Sequence, residues 1–88
     1  MKLILDGNKI STKDELHKLL EATFDFPEWY GGNLDALYDC LTDLMEEVDI
    51  IIQNADTFHQ KLGDYADRVL RVLQDAEQTN LNIQLTIK

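Results

Sequence analysis

Leu81-Asn82-Ile83-Gln84-Leu85-Thr86-Ile87 alternates apolar and polar side chains without a break. Period-two alternation marks a strand with one buried face. Leu81, Ile83, Leu85 and Ile87 fall on one side, while Asn82, Gln84 and Thr86 fall on the other, so a strand is expected over 82–87. Further back, Val48, Ile50 and Ile52 stand opposite Asp49, Ile51 and Gln53. At the start of the chain Leu3 and Leu5 stand opposite Lys2, Ile4 and Asp6, and the turn pair Asp6-Gly7 closes the run. Each of these strands has one clean apolar face and one mixed face. A sheet covered on both sides would read as continuous apolar runs, so helices are expected on one side only.

The intervening segments read as helices. Thr12 and Glu15 form a candidate capping box, and Leu16, Leu19, Leu20 and Phe24 follow at helical spacing, giving a helix over 13–23. Pro27 and Gly31-Gly32 mark a loop over 25–32. Asn33 is a good N-cap for a second helix over 34–46, with Leu34, Leu37, Leu41, Leu44 and Met45 as its buried stripe and Ala36 and Cys40 toward the far border. A short helix over 55–62 ends at Gly63. Asp64 can cap a last helix over 65–78, with Ala66, Val69, Leu70, Leu73 and Ala76 inward. Helical crossovers between successive strands favour parallel pairing, and right-handed crossovers taken in one direction keep the helices on one side. The expected fold is a two-layer α/β domain over 1–88, with a three-stranded parallel sheet in order 1-2-3.

Composition limits what such a domain does. At 88 residues there is enough chain for one core, and the 44% apolar content is that of a packed fold. Seventeen acids against eight bases give a net charge of −9, which weighs against binding nucleic acid or anionic lipid. The single cysteine, Cys40, excludes an intramolecular disulfide. Asp6 ends the first apolar run too early for a signal-peptide core, and no run approaches the roughly 20 residues of a membrane span. A soluble cytoplasmic protein is expected.

The charge is unevenly placed. From Leu19 to Gln60 there is no Lys or Arg, yet ten acids: Glu21, Asp25, Glu28, Asp35, Asp39, Asp43, Glu46, Glu47, Asp49 and Asp56. The remaining seven acids face all eight bases, so the whole excess sits in mid-chain. On the second helix Asp35, Asp39 and Asp43 form an i, i+4, i+8 ladder. Like charges at that spacing cost a helix about 0.2–0.5 kcal/mol per pair. A solvated face with no other task would gain from Lys or Arg four residues after an acid, and this one has none. The ladder therefore reads as a row of carboxylates aimed at a cationic partner. The preceding loop supplies Trp29 and Tyr30, side chains that bury much area at low entropy cost in interfaces.

Pro27-Glu28-Trp29-Tyr30-Gly31-Gly32-Asn33-Leu34-Asp35-Ala36-Leu37-Tyr38-Asp39-Cys40-Leu41-Thr42 closely resembles the barstar family of intracellular inhibitors of barnase-type ribonucleases. Weaker similarity runs through Asp6-Gly7, Leu16-His17, Val69-Leu70 and the last strand. The resemblance implies the same small parallel α/β domain. It also implies that the loop and second helix plug a ribonuclease active site, with carboxylates standing where RNA phosphates sit and pairing with catalytic Arg, Lys and His. By that resemblance Asp39 is the central phosphate mimic and Asp35 its charged neighbour. Trp29 and Tyr38 are the aromatic contacts, Asn33, Leu34 and Thr42 form the rim, and Asp75 is an outlying acidic contact. Asp43 adds a further carboxylate at the partner-binding face. The chain departs from the family pattern in exchanging the aromatics at 29 and 38, in a shorter acid at Asp75, and in Asp43-Leu44 where the family has a small residue and an aromatic.

The partner implied is a basic, extracellular-type ribonuclease or related toxin nuclease, bound by an antitoxin or immunity protein that is monomeric when free. The alternative is an acidic module for a different basic protein. An enzyme or metal site is disfavoured: Asp35 and Asp39 lie on an open convex helix surface, and His17 and His59 lack ligand spacing. His17 falls on the inner side of its helix as a packing or capping residue. No catalytic residue, metal or cofactor is expected.

Overall fold

The computed structural model describes residues 1–88. Its elements run β1 (Lys2–Asp6), α1 (Lys13–Phe24), α2 (Leu34–Thr42), β2 (Val48–Gln53), α3 (Ala55–Leu62), α4 (Asp64–Thr79) and β3 (Ile83–Ile87), with a single 3-10 turn over Glu28–Tyr30. The three strands are parallel and lie in the order β1-β2-β3, as expected from the helical crossovers between them. Register puts Leu3, Ile50 and Leu85 in one row and Leu5, Ile52 and Ile87 in the next. Leu3, Leu5, Val48, Ile50, Ile52 and Ile83 are buried from that face. On the other face Ile4, Asp49, Gln84 and Thr86 are exposed, so the helices cover one side of the sheet. No helix is long and apolar enough to cross a membrane.

Local chemistry fixes the helix ends. The Thr12 hydroxyl accepts from the Glu15 backbone N–H at 3.1 Å, and the Glu15 carboxylate accepts from the Ser11 N–H at 3.3 Å. The capping box therefore forms, with its return bond one residue early. Gly63 ends α3, its N–H donating to the His59 carbonyl at 2.7 Å. Asp64 is not the cap of α4 but its first residue, where a carboxylate still favours the helix dipole. Between β1 and α1 the chain passes α3 so closely that a Cβ on Gly7 would meet the Asn54 carbonyl oxygen at 2.3 Å and the Phe58 nitrogen at 2.6 Å. Both are backbone atoms, so glycine is required there.

Three expectations change. Leu81, expected on the apolar face of the last strand, lies in the turn before β3 and is 96% exposed. Ile87 is exposed and Leu85 only half-buried on β3, whereas Leu3 and Leu5 on β1, the other edge strand, are buried. The second helix stops at Thr42 rather than at 46, which leaves Met45 90% exposed and Leu44 half-buried. Its buried stripe is Ala36, Leu37, Cys40 and Leu41, with Leu34 half-buried, and so is turned toward the side expected to lie at the border. The aromatic pair at the end of α1 makes the difference. Phe24 and Phe26 stack at 5.3 Å and share a groove with Cys40, covering a flank that a helical wheel leaves open.

Candidate binding face

The face rests on the 25–33 segment, on α2, and on the last turns of α4. The Tyr30 N–H closes the 3-10 turn by donating to the Pro27 carbonyl at 3.0 Å. Gly31 and Gly32 follow at φ 66° and 68°, consecutive left-handed conformations that L side chains resist. They reverse the chain so that Asn33 Oδ1 accepts from the Ala36 N–H at 2.8 Å and caps α2. The turn splits its aromatics: Trp29 is 60% exposed and Tyr30 is 1% exposed.

Tyr30 is pinned from beneath. Its hydroxyl lies 2.5 Å from His17 Nδ1, and the Tyr65 hydroxyl lies 2.5 Å from His17 Nε2. One side chain from α1 thus joins the turn to α4. A neutral imidazole offers one donor and one acceptor, so the two phenols take opposite roles. Burial holds the His17 pKa below its usual value, against the pull of nearby Asp14. Burial likewise pushes both phenols upward. The packed histidine expected from its helix position is thus the clasp of the Trp29 turn.

Asp35 and Asp39 are exposed on α2, and Asp43 is exposed just past its last residue. Carboxylates four residues apart on a helix have Cβ atoms about 5–6 Å apart. None of the three accepts a hydrogen bond from the chain. The one contact within 4 Å between a basic and an acidic side chain, His59 Nε2 to Asp67 at 3.2 Å, involves none of them. Asp35 shares an open cleft with Lys13 and Arg68 but is within ion-pair distance of neither. No ion pair within the molecule therefore offsets the cost of the like charges.

The other expected contact residues are more engaged. Tyr38 is half-buried, and its hydroxyl lies 2.9 Å from Thr79 Oγ1 on α4. The Thr79 hydroxyl is 3.0 Å from the Asp75 carbonyl. Asp75 stands one turn back from Thr79 on the same face of α4 and is exposed. The Thr42 hydroxyl donates to the Tyr38 and Asp39 carbonyls at 3.0 and 3.1 Å. The Asn33 side-chain oxygen is occupied by its cap, and Leu34 is half-covered. Trp29, Asp35, Asp39, Asp43 and Asp75 thus keep free, exposed side chains, whereas Asn33, Tyr38 and Thr42 have polar atoms committed inside the fold.

Asn80 escaped the sequence reading. It is 9% exposed, and its amide nitrogen donates to the Leu41 carbonyl at 3.0 Å and the Leu44 carbonyl at 2.9 Å. Asn82 Nδ2 adds a second bond to Leu44 at 3.2 Å. An asparagine just past the last apolar position of a helix is a recognisable stop signal. Nothing in the sequence says that it terminates a different helix, 39 residues earlier. Elsewhere, no three His, Cys, Asp or Glu side chains gather to hold a metal.

Fold and surface together define a class: a small acidic α/β protein that presents unpaired carboxylates on one helix beside an exposed tryptophan. The whole chain, residues 1–88, matches the family described as Barstar (barnase inhibitor). The chain belongs to the barstar family. It is 41% identical over 78 residues to the "Putative ribonuclease inhibitor YrdF" of Bacillus subtilis (strain 168), covering 88% of this chain and 86% of that relative.

Proposed function

We propose that this protein inhibits a basic ribonuclease of the barnase type by seating the Trp29 turn and α2 over its active site. Asp39 occupies the central phosphate position, with Asp35 beside it. Trp29 and Tyr38 pack against the enzyme, and Asn33, Leu34, Thr42 and Asp43 complete the contact around them. Asp75 contributes from α4. The protein is cytoplasmic and monomeric when free. The observation that carries this reading is the row of exposed carboxylates with no internal cation within ion-pair distance, in a chain of a family described as barnase inhibitors. Such a row costs the free protein stability and returns it on meeting a cationic cleft. Its field also steers a basic partner, so association is fast and slows steeply with salt.

The test is inhibition of a barnase-type ribonuclease by the purified chain at two salt concentrations. Inhibition that weakens as salt rises is expected. Asp39→Ala should cost more than about 2 kcal/mol of binding, the general size of a hot-spot truncation. Equal inhibition by this variant and the wild type would refute phosphate mimicry. Capture of basic proteins that are not nucleases, with no ribonuclease inhibited, would replace the ribonuclease with a different basic partner.

A further inference from the structure

A groove of about 190 Å³ runs beside the carboxylate row, lined by Phe24, Phe26, Trp29, Cys40 and Leu44, with Asp25 and Asp43 among its walls. We propose that this groove seats one arginine side chain of the basic partner. Its aliphatic stem lies over the apolar lining and its guanidinium meets Asp25 and Asp43 against the indole of Trp29. The proposal rests on the reading above and gives it a second, specificity-determining anchor away from the phosphate-mimic position.

The chemistry selects the occupant. Trp29 is 60% exposed, and Asp25 and Asp43 are exposed without an ion-pair partner. No Lys or Arg occurs between Leu19 and Gln60 to neutralise them from within. An apolar plug would strip water from two carboxylates and give them nothing in return. A long cationic side chain fills the apolar length with its stem and satisfies the acids with its head. Arginine fits better than lysine, because its planar, weakly hydrated guanidinium stacks on an indole while it binds carboxylates in a fork. Asp25 is separate from the α2 ladder. It caps α1 at φ 53°, a left-handed conformation that asparagine also tolerates, so Asp25→Asn removes the charge and keeps the turn.

The experiment is a double-mutant cycle on the complex with a barnase-type ribonuclease. Asp25→Asn and Asp43→Asn are each measured against ribonuclease variants in which single surface arginines become alanine. Each chain variant should weaken binding about tenfold, the worth of a charge-assisted bond. Both losses should vanish against the same single arginine variant. Asp25→Asn binding as tightly as wild type, while Asp39→Ala binds weakly, overturns the groove and leaves the inhibitor reading standing. A loss that is equal against every arginine variant also overturns it, since that is only long-range charge. Failure of the wild-type chain to bind any ribonuclease overturns both.

Discussion

Asn80, the residue that follows α4, donates its side-chain amide to the carbonyl of Leu44 at 2.9 Å, and so closes α2 from another element of the fold. The same nitrogen reaches the Leu41 carbonyl at 3.0 Å, and Asn80 Oδ1 accepts from the Asn82 N–H at 3.0 Å. The Leu41 carbonyl in the last turn of α2 and the Leu44 carbonyl just beyond it are thereby answered, and the position of Asp43 between them depends on a side chain on the far side of β2 in sequence.

Asn80→Ala removes two hydrogen bonds, one each from the Leu41 and Leu44 carbonyls, which keep the Leu44 N–H and the Asn82 amide as donors. The expected loss is about 2 kcal/mol of folding stability, measured by urea denaturation. Asn80→Asp should cost at least as much at neutral pH, because it sets carboxylate oxygens against carbonyl oxygens, and its deficit should shrink as acid protonates the new side chain. A wild-type midpoint for either variant at pH 7 would contradict the role given to this amide.

Asp39 should stabilise the free protein when removed. Asp39→Ala deletes two like-charge contacts, with Asp35 and Asp43, and adds a better helix former. The expected gain is about 0.5–1.5 kcal/mol at low salt, falling as salt screens the ladder. Thermal or urea unfolding of the unbound chain measures it. A loss of stability would mean that the carboxylates are structural, not held for a partner.

His17 links stability to pH. Its folded pKa is depressed, chiefly by burial, so between the folded value and the unfolded value near 6.5 the unfolded chain binds the extra proton. The contribution is complete above that unfolded value and drains away as pH falls toward the folded one, with a slope of at most about 1.4 kcal/mol per pH unit. Unfolding free energies across pH 5–8 should show this slope in the wild type and lose it in His17→Gln. Identical slopes would mean that other groups carry the acid sensitivity.

Cys40 should be chemically silent in the folded protein. It is 6% exposed, and its thiol is raised first by burial and then by Asp43 and Asp39. Since the thiolate is the reactive form, a disulfide reagent at mildly alkaline pH should label it slowly when native and quickly in denaturant. Equal rates in the two conditions would show that the loop over it opens freely.

Period-two alternation around Ile50 and Ile83 was enough to give the strands and a sheet covered on one side, because face periodicity is a local property of the chain, and the helical crossovers between successive strands gave their parallel pairing and order. The absence of any cation between Leu19 and Gln60 likewise made the carboxylate row visible, since net charge needs no fold to be counted. The burial of Ala36 and Cys40, the end of α2 at Thr42 and the exposure of Met45 and Leu81 were decided by tertiary contacts. Each depends on a partner remote in the chain: the Phe24–Phe26 stack over Cys40, Asn80 on Leu41 and Leu44, His17 between Tyr30 and Tyr65. A helical wheel assigns a face by rotation about one axis and knows nothing of what packs against it. The sequence therefore settled which charges stand on α2, and only the packed structure settled where that helix stops and what holds the tryptophan beside it.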